Sequence, residues 1–256
     1  MKIAAFNVQK FGTKKLSDPA VLKTLIKIVS RYDIILILEV VDASDTVVKS
    51  FMKELNKRKK HLYRMGVSVR LGRTSYKEQF LFLYRGDVVQ VTGTYQYEDN
   101  QPGDEDAFDR EPYILRFSSP NTVVEDLVLV PVHTRPKDSE KELDELYDVV
   151  MAVKDKWKTN NIMILGDFNA DGSYVSKKEM KAIRIYTDKN FHWLITDNVD
   201  TTTSTRNDHT YDRIVVYGQE LLDALVPNSA KPFNFQKEYG LNEADVSNYF
   251  YSVALK

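Results

Sequence analysis

Short apolar runs that each end in a polar residue constrain the fold of this chain more than any other feature. The clearest is IMILGDFNA at 162–170, where four apolar residues precede Gly166, Asp167 and Asn169. A short apolar run bounded by turn residues is typical of a buried β-strand. Because side chains alternate across a strand, Asp167 and Asn169 are expected to point the same way at its end. Their oxygens suit a hard metal ion or a phosphate group, and an Asx turn that closes the strand is the alternative explanation.

Four further apolar runs carry a polar residue at one end. Asn7 follows KIAAF, Glu39 follows DIILIL, His133 follows LVLVPV, and Asp212 precedes RIVV. Glu39 is hard to explain structurally, because an unpaired carboxylate on so apolar a strand is costly to bury. Polar groups that converge at strand ends are how a binding or catalytic site is built on a sheet. The pattern therefore predicts a site at one edge of a sheet.

Helices are expected where apolar residues recur at helical spacing. Asp18 and Pro19 form a start signal, with a capping side chain before a proline in the first turn. Further helices are expected at 44–56, 138–158 and 176–183. Strands are expected at 63–69 and 79–84, which pair, and at 88–97, which is expected to continue the same sheet; 113–117 and 127–132 are further strands.

Ten motifs, spread in order from residue 1 to about residue 245, resemble those of the deoxyribonuclease I family of the endonuclease/exonuclease/phosphatase superfamily. They are KIAAFNV, YDIILILEV, LGRTSYKEQFLF, FDREP, VHTRP, LYDV, ILGDFNADGSYV, DTTTST, YDRIVV and PFNFQKEYGL. The resemblance implies an α/β fold (an α+β sandwich) in which two packed mixed β-sheets are flanked by helices in four layers. It also implies a single domain over residues 1–256, in keeping with the length, and a scaffold that hydrolyses phosphodiester bonds in DNA.

Composition limits the partners of the chain. Lysine and arginine number 36 and aspartate and glutamate 37, so the net charge is −1, which argues against a strongly basic nucleic-acid binder. DNA is not excluded, because a nuclease needs only local basic groups near the phosphates. No apolar run is long enough to span a membrane. Because the sequence begins with a predicted strand, no signal peptide is expected, and by resemblance a mature, secreted, monomeric protein is expected.

The resemblance assigns metal ions to two kinds of position. In the active site, Mg²⁺ or Mn²⁺ is expected on Glu39, with Asn7 and Asp167 as further ligands. A structural Ca²⁺ is expected near the acidic segment 98–109, for which a solvated loop is the alternative interpretation. The candidate calcium ligands are Asp99, Asp106 and Asp200.

The resemblance also assigns the acid–base groups. His133, oriented by Glu78, corresponds to one of two histidine pairs, and a carboxylate behind a histidine fixes its tautomer and raises its basicity. Asp212 corresponds to the carboxylate behind the second histidine, and Asp167 and Asn169 correspond to metal or phosphate positions. Contacts with DNA are expected from Arg73, Tyr76 and Arg110.

The chain departs from the family at its C-terminal motif. Where the family has Ser-Asp-His, this chain has Ser247, Asn248 and Tyr249. Tyrosine has a pKa near 10 and is a poor base at neutral pH, and the loss of one general acid–base group costs roughly 10²–10⁴-fold in rate. His209 is a remote candidate to replace the missing histidine. The sequence therefore predicts a nuclease scaffold that is catalytically impaired or inactive.

Two alternatives to impairment stay open. One is an active endonuclease that relies on His133 with Glu78 and on a metal ion bound by Glu39. The other is a scaffold recruited as a non-enzymatic binding, toxin-like or storage protein. Two common arginine contacts with DNA are Gln9 and Val41 here, which points towards weakened DNA binding. Actin binding is not expected, because the corresponding surface is altered by Met65 and Tyr113.

The chain contains no cysteine. The family usually has a disulfide between the loop after GDFNA and the loop before YDR, and by resemblance Gly172 and His209 occupy those positions. Loss of such a bridge typically removes a few kcal/mol of stability. Its absence indicates either a reducing compartment or a compensating interaction elsewhere.

Overall fold

The computed structural model describes residues 1–57, 61–100, 106–203, 208–242 and, for the backbone, 252–255. The strands are β1 (Ile3–Phe11), β2 (Ile34–Val40), β3 (Tyr63–Val67), β4 (Gln79–Arg85), β5 (Gln90–Gln96), β6 (Tyr113–Ser118), β7 (Asp126–His133), β8 (Ile162–Asp167), β9 (Phe191–Trp193), β10 (Asp212–Tyr217), β11 (Lys231–Phe233) and β12 (Ser252–Leu255). The helices are α1 (Thr13–Leu16), α2 (Pro19–Val29), α3 (Thr46–Asn56), α4 (Ser139–Trp157), α5 (Lys177–Met180), α6 (Arg184–Thr187), α7 (Gln219–Asp223) and α8 (Phe235–Tyr239).

The strands form two mixed sheets of six strands each. The first sheet has the order β11-β12-β1-β2-β4-β3, and the second has the order β5-β6-β7-β8-β10-β9. The central pairs β1–β2 and β7–β8 are parallel, and the other pairs are antiparallel. β5 pairs with β6 in the second sheet, so the expectation that 88–97 continues the sheet of β3 and β4 was wrong. Strand propensity shows that a segment is a strand but not which neighbour it pairs with.

Alternation along the strands divides the apolar residues among three cores. Ile34, Leu36 and Leu38 of β2 face the second sheet, whereas Ile35 and Ile37 face the helices that cover the first sheet. In the same way, Leu165 lies between the sheets and Ile164 packs under α4. The layers are therefore helices, sheet, sheet and helices, and the expected sandwich of two packed mixed sheets flanked by helices is confirmed.

Capping residues and the spacing of apolar residues explain where the helices form. The side chain of Asp18 accepts hydrogen bonds from the backbone N–H groups of Ala20 and Val21, and Pro19 is the first residue of α2. α4 presents a continuous buried stripe to the second sheet, formed by Leu143, Leu146, Val149, Val150 and Val153. Of the helix expected at 176–183, only the short helix α5 at 177–180 forms, and α6 begins after the segment, at Arg184. No helix within the described ranges is long and apolar enough to cross a membrane.

Candidate active site

Three polar side chains form a row across the second sheet. In the strand register His133 lies opposite Asp167, and Asp167 lies opposite Asp212. Leu165 and Ile214, each two residues from an aspartate on the same strand, belong to the core between the sheets. Because side chains alternate, the row points into the seam between the sheets, where the apolar core ends.

The first sheet contributes Asn7 to the same seam. Ile3 and Ala5 of β1 lie in the core between the sheets, so Asn7 continues their face. Its Nδ2 donates to Oδ2 of Asp167 over 3.2 Å, and its Oδ1 accepts from the N–H of Gln9. Asn7 therefore links the two sheets at the site with a buried hydrogen bond.

Glu39 is turned towards the site by an irregularity in β2. Near Glu39 the pairing of β2 shifts register with both of its neighbours, β1 and β4. Glu39 itself has a φ of 58°. Its Oε2 accepts from the N–H of Lys10 at 3.1 Å, and Gln9 and Lys10 also have positive φ. Left-handed backbone in non-glycine residues is costly and clusters at functional sites, and a bulge redirects a side chain. These features mark Glu39 as a functional candidate.

A hydrogen-bonded cluster surrounds His133. Its Nδ1 lies 2.8 Å from Oε2 of Glu78, and the hydroxyl of Tyr76 also bonds to Glu78. Arg110 donates from Nε to the carbonyl of His133 at 3.0 Å, and the same Nε lies 3.6 Å from Glu78. The pairing of His133 with Glu78 that was expected from the resemblance is present in the geometry.

The pairing shifts the pKa values of both groups. Burial opposes ionisation of Glu78, but the charge of His133 and its hydrogen bond outweigh burial and lower the pKa of Glu78. Burial and the charge of Arg110 oppose protonation of His133, but the charge and hydrogen bond of Glu78 leave the pKa of His133 raised. The arrangement therefore favours a carboxylate beside an imidazolium.

Asp212 is the least satisfied group of the site. It is fully buried, and neither of its carboxylate oxygens has a hydrogen-bond partner among the described residues. Its backbone N–H donates to Oγ1 of Thr201. Burial, followed by the nearby charge of Asp167, raises the pKa of Asp212 well above its usual value. Both oxygens of this carboxyl can therefore accept a hydrogen bond from a group outside the described residues or bind a cation.

Asp167 and Asn169 are hydrogen-bonded to each other, but they do not lie on one strand face, contrary to the prediction from side-chain alternation. β8 ends at Asp167, and Asn169 has a φ of 46°, so the two do not share a strand face. The N–H of Asn169 donates to Oδ1 of Asp167 at 3.1 Å, which is an Asx turn. The Nδ2 of Asn169 donates to the carbonyl of Thr134. Asp167 therefore takes part in both the Asx turn and the polar site, because its second oxygen, Oδ2, accepts from Asn7.

The three residues expected to contact DNA are not equally available. Tyr76 is 45% exposed, although its hydroxyl bonds to Glu78. The side chain of Arg110 is 9% exposed and is bonded to Asp109 as well as to His133. Arg73 donates from Nε to Asp106, and it lies close to Asp138. Both arginines thus neutralise acidic neighbours, which reduces the positive charge they present.

The candidate calcium ligands lie in two places. The N–H of Asp106 donates to the carbonyl of Asp99, so these two share one loop beside β5. Asp200 lies in the loop before β10, where its Oδ1 accepts from Thr202, and three strands separate β5 from β10 in the sheet. A single ion cannot bind all three residues, so any calcium sites there are separate.

The loops that carry the disulfide in the family are in contact here as well. A Cβ on Gly172 would lie 2.7 Å from Cε1 of His209, and Nδ1 of His209 lies 3.4 Å from Asp171. The ring of His209 also packs on Tyr211. His209 contacts Asp171 and Tyr211 instead of joining the row of His133, Asp167 and Asp212. Nothing in this geometry therefore supports it as a replacement catalytic histidine. Asn248 and Tyr249 lie outside the described residues.

Two buried charged residues near the site were missed in the sequence. Arg213 is 1% exposed and donates to the carbonyls of Thr210 and Ile195, with Asp197 as its ionic partner. Glu142 of α4 is also buried, and burial raises its pKa to about 7. The signal for Glu142 was its position four residues before Leu146 on the apolar stripe, where a charge is unexpected.

This geometry agrees with what comparison with known proteins shows. A profile of the endonuclease/exonuclease/phosphatase family matches residues 4–232, and the chain belongs to that family. Human deoxyribonuclease gamma is 45% identical over 98% of this chain and 84% of its own length. Deoxyribonuclease-1 of Oryctolagus cuniculus is 47% identical over 94% of this chain and 86% of its own. The resemblance to the deoxyribonuclease I family is therefore confirmed.

Solved structures support the fold alone, since their sequences are distant. A family protein from Leptotrichia buccalis superposes with a TM-score of 0.68 at 14% identity, covering 100% of this chain and 98% of the other. The human Nocturnin catalytic domain gives a TM-score of 0.62 at 11% identity, covering 100% and 92%.

Proposed function

We propose that this chain is a deoxyribonuclease-like phosphodiesterase with one complete acid–base pair and a strongly reduced rate of DNA cleavage. The observation that carries the proposal is the bond between His133 and Glu78 at 2.8 Å beside Asp167, in a chain that has Tyr249 where the family has its second histidine. The 45% identity with human deoxyribonuclease gamma supports DNA as the substrate.

In this proposal His133 moves the proton. Its Nδ1 is bonded to Glu78, so that Nε2 exchanges a proton with water or with the leaving oxygen. Asp167 and Asn169 would contact the metal ion or the phosphate group. A tyrosine with an ordinary pKa near 10 is neutral at pH 7, so a tyrosine at position 249 could donate a hydrogen bond but could not replace an imidazolium. Proton transfer and charge stabilisation on that side of the phosphate both fall.

The residues at the seam fit a divalent cation. Glu39, Asn7 and Asp167 would hold Mg²⁺ or Mn²⁺, and neither oxygen of the buried Asp212 carboxyl beside them has a hydrogen-bond partner among the described residues. No group of three His, Cys, Asp or Glu side chains within the described ranges is arranged to hold a metal ion. Mg²⁺ usually takes one or two carboxylates and completes its shell with water and substrate phosphates. When bound, such an ion supplies positive charge to the phosphate.

Nicking of supercoiled plasmid with Mg²⁺, Mn²⁺ or Ca²⁺ tests the proposal. We expect the native chain to cleave at least about 10²-fold more slowly than the double variant Tyr249→His/Asn248→Asp, since one acid–base group is restored. Each single change should restore less. Adding His133→Gln to the double variant should remove the gain, and His192→Gln, which lies on β9, serves as its control.

Other outcomes would favour the alternatives. Native cleavage as fast as that of the double variant would support an active endonuclease that depends on His133, Glu78 and Glu39. No cleavage by either chain would support a non-enzymatic binding, toxin-like or storage scaffold. A monomeric, secreted protein without actin binding, with Ca²⁺ on its surface loops, remains the prediction from family resemblance.

A further inference from the structure

Glu142 is a buried carboxyl group that no step of the proposed reaction uses. It is 1% exposed on the first turn of α4. Its Oε1 accepts from the backbone N–H of Arg135 at 3.0 Å, and the backbone N–H of Asp109 also acts on the carboxylate and favours its charged form. Burying a carboxyl costs free energy that a residue without a specific contact would not recover.

The two N–H groups belong to the two loops that meet at His133. Arg135 lies two residues after His133. Asp109 immediately precedes Arg110, whose Nε donates to the carbonyl of His133. The guanidinium of Arg110 also faces Glu78. A shift of either loop would therefore change the distances among His133, Glu78 and Arg110.

Asp109 extends the connection to a third loop. Its Oδ1 accepts from the backbone N–H of Arg73, and its Oδ2 accepts from Arg110. Glu142 therefore lies at the base of a network that joins α4 to all three loops around the histidine. Rigid helices hold a site more precisely than loops do.

We propose that Glu142 is a positioning residue that fixes the His133 and Arg110 loops relative to each other through the backbone N–H groups of Arg135 and Asp109. Its catalytic consequence rests on the proposed function, in which His133 is the acid–base group. The positioning itself does not depend on whether DNA is cleaved.

Two substitutions weaken the contacts of Glu142 with these loops to different extents. Glu142→Gln retains one acceptor oxygen but loses the carboxylate charge, whereas Glu142→Leu retains no acceptor. Glu145→Gln is the matched control. Glu145 is 2% exposed on the same helix, and its Oε1 accepts from the hydroxyl of Tyr97.

Hydrogen exchange and NMR titration of the purified chain, without DNA, provide the measurements. In Glu142→Leu we expect the amides of Arg135 and Asp109 to exchange about 10-fold faster or more, as for the loss of an ordinary hydrogen bond. Glu142→Gln should show a smaller effect. The pKa of His133 should fall towards its usual value, and the other three of the four histidines serve as internal references.

A general loss of packing would give a different pattern. If Glu145→Gln accelerates the same amides and moves His133 equally, or if His133 titrates unchanged in Glu142→Leu, Glu142 has no specific positioning role. If Glu142→Leu does not fold, the same criteria apply to Glu142→Gln.

A kinetic arm links the positioning to the reaction. In the activity-restored chain Tyr249→His/Asn248→Asp, Glu142→Gln should lower kcat by about 10-fold or more with little change in KM, as expected for a misplaced acid–base group. A change in KM alone would contradict the proposal. If the restored chain does not cleave DNA, the proposed function fails, whereas shifts in exchange and titration still establish the positioning.

Discussion

Individual carboxylates at the seam between the sheets are closer together than their charges favour. Asp167 and Asp212 are directly opposed on neighbouring strands, and the charge of Glu39 also acts on Asp212. Like charges in a buried site repel each other unless protons or cations compensate. At the residue scale, the site is therefore short of positive charge.

Calorimetric titration with Mn²⁺ tests this deficit. We expect the native chain to bind one Mn²⁺ at the seam and Glu39→Ala to lose that binding, because in the proposed site Glu39 is the principal carboxylate ligand. Glu54→Ala is the control, since Glu54 pairs with Lys57 on the surface of α3. Equal binding by the native chain and Glu39→Ala would rule the site out.

The pair of Glu78 and His133 predicts a stability that depends on pH. The lowered pKa of Glu78 gives stability that is complete above its unfolded value of 4.5 and is lost as the pH falls through the folded value. The raised pKa of His133 gives stability that is complete below 6.5 and is lost as the pH rises through the folded value. The contribution of the pair is therefore largest between about pH 4.5 and 6.5.

Urea unfolding of Glu78→Gln at several pH values measures that contribution. We expect a loss of about 3–5 kcal/mol near pH 5.5, as for a broken buried ion pair, and a smaller loss near pH 9. Asp87→Asn breaks the similar but surface-exposed pair with His61, where a much smaller loss is expected. A loss for Glu78→Gln that is the same at both pH values would contradict this assignment.

At the scale of elements, the parallel pairing of β7 with β8 places the row of polar residues. Gly166 precedes Asp167 and has a φ of 138°, a conformation that favours glycine. A Cβ at this position would collide with the backbone carbonyl of Val132. Glycine therefore allows the two strands to approach closely, one residue before His133 and Asp167 pair.

Gly166→Ala should separate these strands. We expect a loss of more than about 4 kcal/mol in the free energy of unfolding, or failure to fold, because backbone strain and a backbone collision combine. Gly240→Ala is the control, since Gly240 also has a positive φ but a Cβ there meets nothing within 4 Å. It should lose about 1–2 kcal/mol. Similar losses in the two variants would show that the close approach is unimportant.

At the scale of the whole molecule, the core between the sheets joins the N-terminal and C-terminal halves of the chain. Leu36 and Phe82 of the first sheet and Leu165 and Ile214 of the second belong to this one core. The active-site residues continue the same inner faces where the apolar residues end. Neither sheet can bury its inner face without the other.

We therefore expect the chain to unfold as one cooperative unit. In scanning calorimetry the calorimetric and van't Hoff enthalpies should agree. Leu165→Ala should lower the single transition by about 2–5 kcal/mol of stability without splitting it. Two separate transitions, with only one displaced by Leu165→Ala, would indicate two domains and contradict this view.

Much of the site could be predicted from the sequence because strand ends are local features. The apolar runs before Asn7, Glu39 and His133 predicted strands whose polar ends converge, and the ordered motifs predicted the family and the layered fold. Side-chain alternation shows which residues share a face only where the strand is regular, and it did not hold at Glu39 and Asn169, which have positive φ.

Tertiary structure decided what depends on partners that are distant in the chain. The bond from Asn7 to Asp167 and the register of Asp167 opposite Asp212 join segments far apart in sequence, and the pairing of β5 with β6, instead of with β3 or β4, was also decided by the folded sheet. The approach of Asp109 to Glu142 also joins distant segments, although the bond of Glu142 to Arg135 spans only seven residues. The sequence by itself determined which segments are strands and which polar residues they carry. Only packing of the two sheets decided which of those residues meet, because burial and hydrogen-bond partners are properties of the folded chain as a whole.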